Sequence, residues 1–239
     1  MSIDEEMLRP PQNEINPENT PYPPKYINLV DGTKMVVRQI TRDEVKQVIP
    51  LFYDIVKLSD FQYYDLVGAR ILSELLAYIN YRVHDEYVFL GQNGKTGEVL
   101  GLVNSRLTVN PKIGMSLHTM TFKRGLRVGA HLFVAKMENH FFLGNEEVYI
   151  VAESPIGFRR WMEELRLEPR PEVEHELGGV PSYCLTKENW EGYVVPERLF
   201  GERPVPEEYL STVTTNIILP EDVIWQITGI KKEEFLKRD

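Results

Sequence analysis

A basic, glycine-containing segment at residues 117–133 has the residue types of an anion-binding site. It runs from a strand-like stretch through a loop that contains Arg124, Gly125, Arg127 and Gly129 into a helix-like stretch. Backbone N–H groups in the first turn of a helix have no partner within the helix and lie at the positive end of its dipole, so together they can hold a phosphate or pyrophosphate. Glycine lets the chain approach such a ligand closely. The segment therefore predicts a phosphate or pyrophosphate site.

The loop from Arg124 to Ala130 resembles the Arg-Gly-x-Gly-x-Gly/Ala loop of the GNAT superfamily of acyl-CoA-dependent N-acyltransferases. It departs from the family at Arg127, where a glycine is most common. An arginine there either crowds the pyrophosphate or adds a cation to it, and the sequence leaves both open. The resemblance implies acetyl-CoA or a related acyl-CoA as co-substrate. The residues that it implies for binding this cofactor are Met120, Phe122, Arg124, Gly125, Leu126, Arg127, Val128, Gly129, Ala130 and Ser154.

A second segment, residues 162–169, resembles the family's Tyr-Glu-Lys-Leu-Gly-Phe-Glu-Pro pattern. Met162 replaces the tyrosine that many GNAT enzymes use to protonate the leaving thiolate, and a methionine cannot donate a proton. Arg166 and Leu167 replace the family's Gly-Phe. Ser154 is the nearest match to the Asn or Ser that usually opens this helix. Two motifs in the family's order predict the family's fold, whereas the altered positions lie at functional residues.

The resemblance also implies a reaction, the direct attack of an amine on the acyl-CoA thioester without a covalent enzyme intermediate. Such a site binds pyrophosphate, polarises the thioester carbonyl with a backbone N–H near Thr119 and Met120, and removes a proton from the amine. The candidate bases are His118 and Glu153. The alternative hypothesis is a catalytically inactive GNAT-fold protein that serves as a CoA-binding, regulatory or protein-interaction module.

Hydrophobic periodicity and turn signals predict the elements that position these residues. Thr41 and Glu44 form a capping box that opens the first helix, in which Pro50 is expected to cause a kink or a break. The order of strand, two helices, hairpin, strand, helix, strand, helix and strand is the GNAT order. It predicts an α/β (α+β) protein with a GNAT-like central mixed, mostly antiparallel sheet and helices on both faces. The predicted strands are residues 34–40, 86–91, 98–108, 117–122, 147–152 and 180–186, and the predicted helices after the first are 66–82, one behind the loop at 124–130, and 158–166.

The chain divides into three predicted parts. Residues 1–25 contain six prolines and few large apolar groups, so they are expected to form a Pro-rich N-terminal arm. Residues 26–190 form the GNAT-like acyltransferase domain. Residues 191–239 are too apolar for a disordered tail, and we expect them to pack on the core or on a partner subunit as a C-terminal appendage. This leaves a homodimer open.

Composition limits the classes of function. The net charge of −9, from 36 acidic and 27 basic residues, argues against nucleic acid as a partner and favours an acceptor with positive charge, a small-molecule or protein amine. No apolar run is long enough to span a membrane, so no membrane association is expected. The single cysteine excludes an internal disulfide and the acidic N-terminus lacks signal-peptide features, which predicts a cytoplasmic location. The five histidines have no His-x-x-x-His spacing, so no metal site is expected.

Overall fold

One eight-stranded sheet runs through the computed structural model of the chain, which describes residues 16–58, 64–151, 165–173, 181–192, 200–235 and 237. The strands lie in the order β1-β2-β3-β4-β5-β6-β8-β7, and neighbours are antiparallel except for β5 and β6. The predicted mixed, mostly antiparallel sheet is therefore confirmed. The strands are β1 Lys25–Asn28, β2 Lys34–Ile40, β3 Glu86–Asn93, β4 Val99–Leu107, β5 Ile113–Thr121, β6 Glu147–Ile150, β7 Glu168–Pro169 and β8 Tyr183–Thr186.

Helices cover both faces of this sheet, as the sequence predicts. The first two helices enclose one buried apolar cluster with β2 to β5, and the helix behind the glycine-containing loop encloses another on the opposite face. None of the described helices is both long and apolar enough to cross a membrane. The described helices are α1 Arg42–Ile55, α2 Tyr64–Ile79, α3 Val128–Phe142, α4 Lys187–Gly192, α5 Glu207–Thr215, α6 Val223–Thr228 and α7 Lys232–Phe235.

Helix α1 begins with the predicted capping box. The Thr41 side chain accepts a hydrogen bond from the Glu44 N–H, and the Glu44 carboxylate accepts one from the Thr41 N–H at 2.8 Å. The helix is continuous through Pro50, so the predicted break does not occur. Pro50 lies on the exposed side, where water can satisfy the Lys46 carbonyl that loses its helical partner.

The sequence does not predict β1, which forms one edge of the sheet beside β2. Residues directly before it contact the core as well. The Tyr22 ring stacks on Phe89 with centroids 4.8 Å apart, and the Gln39 side-chain carbonyl accepts a hydrogen bond from the Tyr22 N–H at 3.0 Å. These contacts fix the chain as it enters the sheet.

The described C-terminal residues pack on the same sheet and on α1. Val213 of α5 is buried against Val36 of β2. Ile218 lies beside the start of β4, where its carbonyl accepts a hydrogen bond from the Val99 N–H at 2.8 Å. Ile224 and Ile227 of α6 are buried in the cluster that contains α1 and α2.

Candidate acyl-transfer site

The residues of the predicted anion site lie in the connection between β5 and α3. Arg127 is the N-cap residue directly before α3, and its side chain makes no capping hydrogen bond to the helix. The Arg127 carbonyl accepts hydrogen bonds from Ala130 N–H at 3.0 Å and His131 N–H at 3.2 Å. The N–H groups of Val128 and Gly129 precede these bonds and point out of the start of the helix. These two N–H groups are the candidate donors of the predicted anion site.

Two glycines in this connection have a structural requirement. Gly125 has φ +82°, a left-handed conformation that a side chain disfavours, and a Cβ placed there would meet nothing within 4 Å. Gly129 lies where α3 crosses close to β5, because a Cβ there would be 3.0 Å from Thr121 Cγ2. The space beside Gly125 and the close approach at Gly129 both suit a backbone cradle for pyrophosphate.

Cationic side chains surround the start of α3. Arg124 and Arg127 are exposed, and the Arg124 guanidinium lies 5.3 Å from the centre of the Tyr64 ring on α2. The Lys123 ammonium is 3.9 Å from an Asp31 carboxylate oxygen. Arg127 has φ 62° and ψ 19°, a left-handed backbone that glycine adopts without strain and an arginine does not.

The other residues predicted to bind the cofactor have buried or half-buried side chains. Met120 and Phe122 belong to the apolar cluster beneath α1 and α2, and Val128 belongs to the cluster on the α3 face, where Leu126 packs. Ala130 faces β6 and β8. Only the main chain of these residues is available to a ligand.

Strand β5 continues beyond its neighbour β6. The two strands pair from Ile113 to Ser116, where Ser116 lies opposite Ile150. On the other side, the Phe122 N–H donates to the Leu100 carbonyl at 2.9 Å. Because bonded and non-bonded residues alternate along an antiparallel pair, the Thr119 N–H must point away from β4. It is directed towards the β6 side of the strand, beyond Ser116, which is the last β5 residue that pairs with β6 among the described residues.

A bulge in β5 lies directly before Thr119. Two residues, Leu117 and His118, stand opposite Asn104 of β4, because the register shifts by one residue there. The Asn104 side-chain oxygen accepts a hydrogen bond from the extra N–H, that of His118, at 3.1 Å. The bulge turns the His118 side chain towards α2.

There His118 meets a carboxylate that the sequence analysis missed. Its Nε2 lies 3.1 Å from Glu74 Oε1, and the side chains are 3% and 23% exposed for His118 and Glu74. The Asn104 amide nitrogen donates to both Glu74 and Glu86, to the latter at 3.0 Å. Glu74 is therefore the partly exposed member of the group, and His118 lies behind it.

Two buried groups beside this pair have altered pKa values. Burial, followed by the nearby Glu74 charge, raises the pKa of Glu86 to about 8. Burial lowers the pKa of Lys136 on α3 to about 7. The Lys136 ammonium donates to the His118 carbonyl at 3.1 Å and to the Thr119 hydroxyl at 3.2 Å. Neither group is predicted from the sequence.

A sequence signal for Glu74 does exist. It lies between Ile71 and Tyr78, which with Leu75 form the buried stripe of α2 at spacings of three, four and seven residues. A carboxylate at a stripe position needs a polar partner in the interior. Of the other predicted site residues, Glu153 and Ser154 lie outside the described residues, as does Met162.

Comparisons with known proteins bear on the fold. Neither a family model nor a curated protein sequence matches the chain. The solved structure of an uncharacterized protein from Bacillus halodurans is similar over 80% of this chain and 98% of its own, with 12% identity and a TM-score of 0.50. A probable GNAT acetyltransferase from Chromobacterium violaceum is similar over 69% of this chain and 88% of its own, with 9% identity and a TM-score of 0.46.

The GNAT domain of an S. lividans protein is similar over 68% of this chain and 96% of its own, with 14% identity and a TM-score of 0.46. An N-acetyltransferase from Thermoplasma acidophilum, solved with coenzyme A, is similar over 64% and 98%, with 11% identity and a TM-score of 0.41. The chain shares its fold with the Bacillus halodurans protein, and the mixed, mostly antiparallel sheet with helices on both faces is the fold that the GNAT resemblance predicts. Identities this low concern the fold alone.

Proposed function

We propose that this GNAT-fold protein is an acyl-CoA-dependent N-acyltransferase that passes an acyl group from acetyl-CoA, or a related acyl-CoA, directly to an amine. One arrangement carries the proposal. The outward Thr119 N–H lies on the same strand as His118, with Glu74 against it, and that strand leads directly into the N-terminal end of α3. Anion donors, a carbonyl-polarising N–H and a proton acceptor thus lie along one strand.

The anion site fits the pyrophosphate of an acyl-CoA. The N–H groups of Val128 and Gly129 donate to it, with Arg124 and Arg127 as nearby cations. Bound acyl-CoA supplies an activated thioester. With the pyrophosphate at α3, the acyl end extends back along β5, and Thr119 lies two residues, or about 7 Å, before the end of that strand.

The Thr119 N–H donates to the thioester oxygen and stabilises the negative charge that forms there when the amine attacks. Glu74 faces the acceptor and takes the proton that an ammonium group must lose before its nitrogen can attack, while His118 holds the Glu74 carboxylate in place. The second proton, which the nitrogen loses as the amide forms, goes to solvent water. The leaving thiolate needs no tyrosine, because a thiol has an ordinary pKa of about 8.5 and departs readily as the anion.

An ionised carboxylate at the acceptor side favours an amine that arrives as an ammonium ion. Glu74 is such a group, and the net charge of −9 adds a long-range attraction for cations. The proposed acceptor is therefore a cationic small-molecule or protein amine. The proposal takes the protein to be cytoplasmic, which agrees with its single cysteine.

Calorimetric titration with acetyl-CoA, followed by turnover measurements on a panel of amines, tests the proposal. We expect saturable binding and turnover with at least one cationic amine, both lost in Gly129→Trp. The matched control is Gly192→Trp, since Gly192 is exposed and has open space around it. No binding of acetyl-CoA at millimolar concentration would contradict the proposal.

One observation favours a second candidate function, a CoA-binding module without turnover. Arg127 brings an exposed cation to the start of α3, while His118 is almost fully buried. This candidate predicts CoA binding that depends on Gly129 together with turnover at background level for every amine. Acyl transfer that disappears in Gly129→Trp would rule it out.

A further inference from the structure

We propose that Lys136 strengthens the Thr119 N–H as a hydrogen-bond donor through the peptide unit that joins His118 to Thr119, and so acts as a positioning residue for acyl transfer. The inference rests on the proposed function. It concerns a lysine on α3, on the opposite face of the sheet from Glu74.

Lys136 is 1% exposed, and its ammonium group makes hydrogen bonds at the bulge of β5. It donates to the His118 carbonyl at 3.1 Å and to the Thr119 hydroxyl at 3.2 Å, and it lies 5.7 Å from the centre of the Phe133 ring. Among the described carboxylates none forms an ion pair with it. A buried cation is costly to keep without a counter-charge, so the hydrogen bonds to the His118 carbonyl and the Thr119 hydroxyl are what stabilise it there.

The peptide unit connects the two sides of the strand. The His118 carbonyl and the Thr119 N–H belong to the same planar, resonance-coupled group, and in a trans peptide they point in opposite directions. A cationic donor on the carbonyl draws electron density towards oxygen and makes the N–H a stronger donor, an effect that a low-dielectric interior enhances. Lys136 thus increases the polarity of the N–H that faces the thioester.

The groups that face Lys136 from neighbouring elements set its charge. Burial lowers the pKa of Lys136 to about 7, whereas the charge of Glu74 on α2 favours the ammonium form. His118 contributes its carbonyl, the Tyr87 hydroxyl of β3 donates to the Lys136 carbonyl at 3.3 Å, and His140 lies on the same helix. The lysine donates a hydrogen bond to the His118 carbonyl both as an ammonium ion and as a neutral amine.

Lys136→Met and Lys136→Gln test the inference, with Met137→Leu as the matched control on the same buried helix. Methionine keeps the length of the side chain and removes the donor, whereas glutamine keeps a neutral donor. We expect kcat to fall about tenfold in Lys136→Met and less in Lys136→Gln, with KM for acyl-CoA changed by no more than about twofold, because only an interaction in the transition state is weakened.

The amide resonance of Thr119 in the ligand-free protein is the second readout, because it does not depend on turnover. We expect its amide proton to move upfield in Lys136→Met, by less in Lys136→Gln, and to stay in place in Met137→Leu. An unchanged Thr119 resonance, or an unchanged kcat, overturns the inference while the proposed function stands. Wild-type protein without turnover overturns the proposed function instead, and with it the catalytic role of Lys136. If Lys136→Met does not fold, Lys136→Gln still removes the charge, and an unchanged kcat or an unchanged Thr119 resonance in that variant overturns the inference.

Discussion

Arg127 and Arg166 have left-handed backbones at the two positions where the GNAT motifs that the sequence resembles have glycine. Their φ angles are 62° and 49°, and among the described non-glycine residues only Tyr81 shares this feature. The left-handed conformation costs a residue with a Cβ roughly 1–2 kcal/mol. The fold therefore keeps the backbone path of a glycine at both sites even though the residue has changed.

Replacing Arg127 with glycine separates strain from function. We expect Arg127→Gly to raise the free energy of unfolding by roughly 0.5–1 kcal/mol, since relief of the left-handed strain exceeds the larger chain entropy of glycine. Urea denaturation measures this. Titration of the same variant with acetyl-CoA measures the effect of the arginine side chain on the Kd. Tighter binding in the variant means that Arg127 crowds the pyrophosphate, and weaker binding means that Arg127 attracts it by its charge. Arg166→Gly is the control, because it relieves similar strain outside the anion site.

Glu74 is the residue on which the proposed proton transfer depends. We expect Glu74→Gln to lower kcat about 100-fold and to leave the Kd for acetyl-CoA unchanged, since the amide keeps the shape and loses the basic oxygen. Steady-state kinetics and calorimetry measure the two quantities. The exposed Glu208→Gln on α5 is the control and should behave as wild type. A Glu74→Gln enzyme with wild-type kcat would assign the base elsewhere.

At the level of elements, local signals predict the helices and strands better than they predict the site. The capping box is formed by Thr41 and Glu44, which are three residues apart in the chain, so the sequence alone predicts where α1 begins. The bulge at His118 depends instead on Asn104, fourteen residues earlier in the chain, and on Glu74 in another helix. Such long-range polar contacts have no local pattern. The position of Glu74 on the buried stripe of α2 indicates that it needs a polar partner, but it does not indicate that the partner is His118.

A buried histidine network joins the end of α3 to β4. The His140 Nδ1 donates to the Asn145 side-chain oxygen at 2.9 Å, because the Asn145 amide nitrogen is engaged by the Pro111 carbonyl at 2.9 Å. Nε2 then accepts from the Ser105 hydroxyl, whose oxygen lies 2.5 Å away and whose single proton is shared with the Met115 carbonyl at 2.7 Å. Burial lowers the pKa of His140 to about 3, so the folded protein holds the neutral ring.

This network predicts acid sensitivity. The unfolded chain binds a proton at His140 near pH 6.5, whereas the folded chain does not bind it until about pH 3. The stability that the buried neutral ring contributes is therefore complete above pH 6.5 and is lost as the pH falls towards 3. The free energy of unfolding should fall by up to about 1.4 kcal/mol for each pH unit in that range. Urea denaturation from pH 7 to 4 measures the slope. His140→Gln should flatten it, and an equally steep slope in that variant would contradict the prediction.

At the scale of the whole molecule, Glu138 on α3 connects three distant parts of the chain. It pairs with Lys25 of β1 at 2.7 Å and with Arg203 at 3.0 Å, and it accepts a hydrogen bond from the Tyr22 hydroxyl at 2.6 Å. Lys25 is fully buried, and burial lowers its pKa to about 8. Both the segment before β1 and the described C-terminal segment are therefore held against the helix that carries the anion site.

Removing the Glu138 carboxylate should destabilise the packing of the segment at Tyr22 and Lys25 and of the segment at Arg203 against α3. We expect Glu138→Gln to lower the free energy of unfolding by about 3 kcal/mol, because it leaves a buried lysine without its counter-charge. The exposed pair of Lys112 and Glu146 provides the control, and Glu146→Gln should change stability by less than about 1 kcal/mol. Urea denaturation measures both.

The double variant Glu138→Gln with Lys25→Met decides whether the buried charge is the cause. If the unpaired lysine accounts for the loss, methionine removes the charge, fills similar volume and restores most of the stability. If the double variant is as unstable as Glu138→Gln alone, the lost contacts to Tyr22 and Arg203 are responsible instead. In that case the two terminal segments are held to α3 by the carboxylate itself rather than by the need to neutralise a lysine beneath it.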